Sequence, residues 1–255
     1  MHCIRLRVVR SLKMRKSDAI FLENEMKKRN ILKYFSWVEW LLWGGSWLII
    51  LSCFFLFSGR NYIALTASLL GTVALIFCAK GNPIGQAMMI VFSLLYAVDS
   101  FACRYYGEMI TYLGMTAPMS IFALVSWLKN PYKGNKSEVK VHRLTGKEWI
   151  FASILTISVT VVFYFILGAL NTANLIWSTL SVTTSFFAVY LTFRRSPYYA
   201  LAYAANDVVL IVLWIYASKG DITYLSTCIC FASFIINDLY GFFNWRKMQK
   251  RQAKG

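Results

Sequence analysis

The chain has 255 residues, 58% of them hydrophobic and 15% charged, with a formal net charge of +16. A soluble domain carries about 25% charged residues, so this composition excludes one. The excess positive charge lies in polar segments between apolar stretches, which excludes a nucleic-acid-binding surface as its purpose.

Residues 1–37 form a basic segment with ten Lys or Arg, among them Arg5, Arg7, Arg10, Lys27, Lys28 and Arg29. Met1 to Lys33 holds no long apolar run and no small-residue cleavage site follows, so no secretory signal is expected. Residues 19–36 mix Ile20, Phe21, Ile31 and Leu32 with charges, which fits either a surface-lying helix or a tail. Residues 38–58 supply an extra membrane helix, Val38–Phe57, expected to be peripheral to transport. Trp37, Trp40, Trp43 and Trp47 form an interfacial belt at one end of it.

Three apolar spans follow within 61–128: Asn61–Ala79, Ile84–Cys103 and Glu108–Leu128. A basic loop occupies 129–148, and residues 149–170 form a single linker span, Trp149–Leu170. Residues 172–243 hold three more, Thr172–Thr192, Tyr198–Ala217 and Ile222–Phe243, and a basic tail covers 244–255. Each span is long enough to cross roughly 30 Å of hydrocarbon. Lipid demands that the backbone satisfy itself, so these spans are helices; the alternating ten-residue strands of a barrel are absent.

The spans repeat. Asn61-Tyr62-Ile63 returns as Asn174-Leu175-Ile176, about 113 residues on, and Asn82-Pro83 returns as Ser196-Pro197. Gly107-Glu108-Met109-Ile110-Thr111-Tyr112-Leu113 is echoed by Gly220-Asp221-Ile222-Thr223-Tyr224-Leu225. Three spans end on the side opposite their start, and one extra span restores the entry side for the second copy. The expected fold is therefore an all-α polytopic membrane protein. It consists of two parallel three-helix bundles joined by one linker helix, plus an extra N-terminal hydrophobic helix, with a substrate site between the bundles. Threading the eight spans from an inside N-terminus puts 24 of 27 Lys and Arg in cytoplasmic segments, leaving only Arg60, Arg104 and Lys219 outside. That bias predicts a multi-pass cell-membrane protein with both termini cytoplasmic.

Polar side chains within spans are costly in lipid and so mark candidate function. In Tyr198–Ala217, the residues Tyr199, Tyr203, Asn206, Asp207 and Trp214 recur at helical spacing, joining aromatic surface to an amide and a carboxyl. Such a stripe suits a planar ring that carries sugar hydroxyls. In the equivalent helix of the first copy, Gln86 and Tyr96 share a face, and Asn237 lies deep in the last span. These eight residues are the candidate substrate-binding set. Asp99 is expected near the outer end, solvated or paired with Arg104, and Pro118 is expected to kink its helix. The two histidines fall in polar segments, so no Cys/His metal site is expected, and no phosphate loop or other cofactor motif is present. Asp99, Asp207 and Asp238 sit on separate spans with no membrane His, which disfavours an enzyme, and the longest loop is too short for the output region of a receptor.

Gly85-Gln86 after a proline break, Tyr106-Gly107-Glu108-Met109, and the ending Asn237-Asp238-Leu239-Tyr240-Gly241-Phe242-Phe243-Asn244-Trp245 resemble the PnuC family. The resemblance spans about Asn61 to Lys247. It implies a plan like that of SWEET sugar transporters and facilitated diffusion of nicotinamide riboside or a related vitamin. It further implies retention of the substrate by a cytosolic kinase, and a homotrimer. Riboside-transporting members carry Trp-x-x-Trp-x-x-x-Asn in the second helix of the second bundle; here Tyr199 and Ala202 precede Asn206 at those positions. Deoxynucleosides, thiamine and riboflavin therefore stand beside nicotinamide riboside as substrates.

Overall fold

A computed structural model describes residues 34–58, 61–102, 106–172, 174–220 and 222–254. The surface-helix expectation for residues 19–36 falls mainly outside them, as does Arg104. The chain divides into two units, Met1–Leu41 and Leu42–Gly255. In the first, Ser36 N–H donates to Glu39 Oε2 at 2.6 Å and Glu39 N–H returns to Ser36 Oγ at 3.3 Å, capping the first turn of helix α1 (Trp37–Cys53).

The remaining elements are α2 (Tyr62–Ala79), α3 (Pro83–Ala102), α4 (Tyr106–Thr111), α5 (Ala117–Lys129), α6 (Gly146–Ala169), α7 (Leu175–Phe193), α8 (Tyr199–Ser218) and α9 (Leu225–Lys254). Among the described residues eight helical stretches are long and apolar enough to cross a membrane, α4 through α5 forming one of them (Gly107–Lys129), matching the eight spans expected. Helix α9 continues for 30 residues, through the segment that composition set apart as a tail, with Trp245, Met248 and Gln249 buried.

The helices pack as a closed ring: α2 on α3, α3 on α5, α5 on α7, α7 on α8, α8 on α9, and α9 back on α2. Helix α6 lies against α7 outside the ring. Its N-terminus is closed by a capping box, Thr145 Oγ1 accepting from Glu148 N–H and the Glu148 carboxylate accepting from Thr145 N–H. Helices α2 and α3 approach closely, so that a Cβ on Gly85 would stand 2.6 Å from the backbone nitrogen of Cys78.

Pro118 does not simply kink its helix. A π-helical segment, Tyr112–Thr116, precedes α5, and Ala117 N–H reaches back five residues to Tyr112 O. The wide turn absorbs the N–H that proline lacks, and it swings Tyr112 and Thr116 inward.

Helices α2 and α7 end in matching turns. Gly81 (φ 67°) and Arg195 (φ 58°) are both left-handed, followed by Asn82-Pro83 and Ser196-Pro197. Asn82 N–H bonds to Phe77 O and Ser196 N–H to Leu191 O, each at 3.0 Å. Between α5 and α6 the loop folds into an antiparallel hairpin, β1 (Pro131–Tyr132) with β2 (Asn135–Val139), turned by Lys133-Gly134 with both φ positive. Val139 N–H donates to Gly81 O at 2.9 Å and His142 N–H to Arg195 O at 3.0 Å, so this loop bonds to both turns.

Candidate functional site

Five helices of the ring, and the π segment that leads into the sixth, α5, enclose a small cavity of about 30 Å³. Gly71 and Leu75 come from α2, Met89 from α3, Tyr112 and Thr116 from the π segment, and Ser185 from α7. Tyr203, Asn206 and Asp207 come from α8, and Phe231, Phe234 and Asp238 from α9. Such a volume holds about one water.

Asn206 is 3% exposed, and its Oδ1 accepts from both Thr184 Oγ1 (2.8 Å) and Ser185 Oγ (3.0 Å) on α7. With the amide oxygen occupied, the NH₂ is the group left to donate. Asp207 and Asp238 are each 4% exposed and interact directly with one another, and Asp207 Oδ2 has no other partner among the described residues. The cavity therefore offers amide donors, two carboxyls, and the rings of Tyr112, Tyr203, Phe231 and Phe234.

The other candidates lie around this centre rather than on its wall. Trp214 Nε1 donates to the Tyr96 hydroxyl at 2.9 Å, joining α8 to α3, and Tyr96 stacks at 4.3 Å on Tyr112. Tyr96 borders a second, smaller cavity with Asp99, Phe92 and Phe231. Gln86 Nε2 reaches Cys78 Sγ at 3.2 Å. Tyr199 packs edge-on against Trp245 at 5.0 Å. Asn237 Nδ2 donates to Ser46 Oγ at 3.1 Å and to Ser233 O at 2.9 Å, which brings α1 into contact with the last helix. Trp47 adds to that contact, donating to Thr72 Oγ1 at 3.0 Å. Asp99 accepts from Asn61 Nδ2 at 2.6 Å.

Several wall residues were outside the candidate set. Tyr112 belongs to the repeated Gly-Glu-Met-Ile-Thr-Tyr segment, which was read only as a landmark. Ser185 closes the series Ser178, Ser181, Ser185 at helical spacing, a polar stripe in an otherwise ordinary span. Glu108, 4% exposed, accepts from Ser181 Oγ at 3.3 Å between α4 and α7.

At the hairpin end, Glu148 pairs with Arg194 and lies 3.1 Å from His142 Nε2, and Arg251 pairs with Glu138. Burial, and then the Arg194 and Arg195 guanidiniums, keep the His142 imidazole below its ordinary value. Among the described residues no group of three His, Cys, Asp or Glu is placed to hold a metal ion.

The family described as nicotinamide mononucleotide transporter matches residues 61–247, which hold the whole ring. The chain belongs to this family. Similar proteins include the nicotinamide riboside transporter PnuC of Neisseria mucosa, 27% identical over 245 residues, covering 89% of this chain and 92% of the relative. The nicotinamide riboside transporter PnuC of Haemophilus influenzae is 22% identical over 192 residues, covering 75% and 82%. A crystal structure of the vitamin B3 transporter PnuC superposes with a TM-score of 0.75 at 23% identity, covering 86% of this chain and 94% of that one. That likeness carries the all-helical fold alone; the family match makes the chain a multi-pass membrane transporter.

Proposed function

We propose that the chain carries nicotinamide riboside across the cell membrane by facilitated diffusion, with net uptake maintained by a cytosolic kinase that phosphorylates the product. The observation that carries this reading is the central cavity, where Asn206, Asp207 and Asp238 stand among four aromatic rings at the meeting point of five helices and the π segment. An amide suits ribose hydroxyls and a carboxamide, and the rings suit a flat heterocycle. The relatives bearing the riboside name support the choice. Asn206, Tyr203 and Asp207 form the wall of the site, while Tyr96, Trp214, Tyr199, Gln86 and Asn237 hold that wall in place.

Two parallel three-helix units, α2–α5 and α7–α9, joined by α6, enclose this site, and both termini face the cytoplasm. The unit of assembly is a homotrimer. A cavity of about 30 Å³ is far too small for a riboside, so the helices must part to admit one. Rocking of one unit against the other exposes the site first to one side and then to the other. Thiamine is the second reading. No tryptophan lines the cavity, and Tyr199, at the first position of the riboside motif, is turned against Trp245.

Uptake of radiolabelled nicotinamide riboside into liposomes holding the purified protein, without an ion gradient, tests the proposal. Uptake that stops at equal concentrations is the expected result, with thiamine, riboflavin and deoxynucleosides as weaker competitors. Stronger competition by one of these reassigns the substrate.

A further inference from the structure

The apolar stretches of the six ring helices and of α4 contain four acids, Asp99, Glu108, Asp207 and Asp238, and no Lys, Arg or His. Two of these acids line the central cavity together, and no basic side chain joins them there. Asp207 is 96% buried by its 4% exposure, and one carboxyl oxygen is left without a hydrogen-bond donor. A buried acid without a basic partner is expensive, and a cation entering the cavity lowers that cost. The remaining wall points the same way. Tyr112, Tyr203, Phe231 and Phe234 present rings whose faces attract positive charge.

We infer that the Asp207–Asp238 pair is the counter-ion of the site and selects a permanently cationic heteroaromatic ring, a pyridinium or a thiazolium, over neutral rings of the same shape. This rests on the central cavity being the substrate site, as proposed above. The amide of Asn206 addresses hydroxyl or carboxamide groups that cationic and neutral nucleosides share, so it does not discriminate between them. The carboxyl pair does. Within the proposed substrate set, it favours nicotinamide riboside and thiamine, and it disfavours riboflavin and deoxynucleosides, whose rings are uncharged.

The test compares nicotinamide riboside with its 1,4-dihydro form, which keeps the ribose and carboxamide but has lost the ring charge. Binding of each to the purified full chain is measured by competition, beside thiamine, riboflavin and a deoxynucleoside. The wild-type protein is expected to prefer the cation by about tenfold or more. Asp207→Asn and Asp238→Asn keep the side-chain shape, and each is expected to cut that ratio severalfold. Thermal unfolding in detergent at the wild-type temperature shows that each variant is folded. Equal wild-type affinity for the two ring forms overturns the inference, as does an unchanged ratio in both variants. Thiamine binding without riboside binding, with the ratio of thiamine to neutral ligands lowered in the variants, removes the riboside assignment but supports the counter-ion. Preference for riboflavin or a deoxynucleoside overturns both.

Discussion

Trp127 and Trp245, each fully buried, make the same bond in opposite directions. Trp127, near the end of α5, donates its indole N–H to Thr192 O in the last turn of α7 at 2.9 Å. Trp245, on α9, donates to Cys78 O in the last turn of α2 at 2.8 Å. The residue before each repeats the exchange, Ser126 Oγ with Phe193 O and Asn244 Nδ2 with Ala79 O. The two rings lie 5.3 Å apart. Each set of three helices thus closes on the first helix of the other, and the internal repeat of the sequence becomes a reciprocal pair of contacts.

That reciprocity makes a prediction about stability. Trp127→Phe and Trp245→Phe keep most of the apolar contact and remove the indole donor, while Arg195 N–H and Gly81 N–H still reach the two carbonyls at 2.9 Å. Each should cost about 0.5–1.5 kcal/mol, the value of one hydrogen bond. Thermal unfolding in detergent should show two losses of similar size, because the two bonds are equivalent.

Asn206 offers a test of the site that separates binding from folding. Thr184 Oγ1, one of its two donors, also reaches Leu180 O and Ser181 O at 3.0 and 3.1 Å, so it keeps acceptors when the amide is removed. Asn206→Ala should therefore insert and melt nearly as wild type yet lose about tenfold or more in substrate affinity, the value of one to two hydrogen bonds. Wild-type affinity in a stably folded variant would show that the amide only joins α7 to α8.

Gly85 marks a contact that tolerates no side chain. An added methyl would stand 2.6 Å from both Cys78 N and Cys78 Sγ, and 2.9 Å from Ala74 O. Backbone cannot yield as a side chain can, so Gly85→Ala should cost about 1–3 kcal/mol. Gly44→Ala is the matched control. Nothing lies within 4 Å of a Cβ there, and the better helix former should leave stability equal or slightly higher.

His142 gives the hairpin end a pH dependence of known sign. Its imidazole is held below the ordinary 6.5, so the folded protein favours the neutral ring. The stability this contributes is complete above about pH 6.5 and falls away as acid protonates the ring beside Arg194 and Arg195. Melting temperatures compared at about pH 7.5 and pH 5.5 should fall more for wild type than for His142→Gln. Equal falls would show that acid acts elsewhere.

The spans were readable because apolar length in lipid is nearly a sufficient instruction, and Asn61 and Asn174, read as landmarks of the repeat, both stand at helix starts. Even there the copies differ: Asn61 Oδ1 accepts from Ala64 N–H at 3.0 Å, whereas Asn174 is left-handed and makes no such bond. Around the site, the sequence stripe included Tyr203, Asn206 and Asp207, which line the cavity. It could not separate them from Tyr199 and Trp214, because helical spacing specifies a face but not what stands opposite. Trp214's partner is Tyr96, 118 residues away. Tyr112 was hidden for a different reason. Its inward position depends on the π turn ahead of Pro118, and proline announces a disturbed helix without saying which way the preceding turn will swing.

The loop that bonds to Gly81 O and Arg195 O does so through residues only three apart, Val139 and His142. Three residues of extended chain reach about 10 Å. While both bonds hold, the two turns are moored at that separation, and neither can drift from the other whatever the helices do above them. Any motion that carries the two turns further apart must first break one of these two backbone bonds.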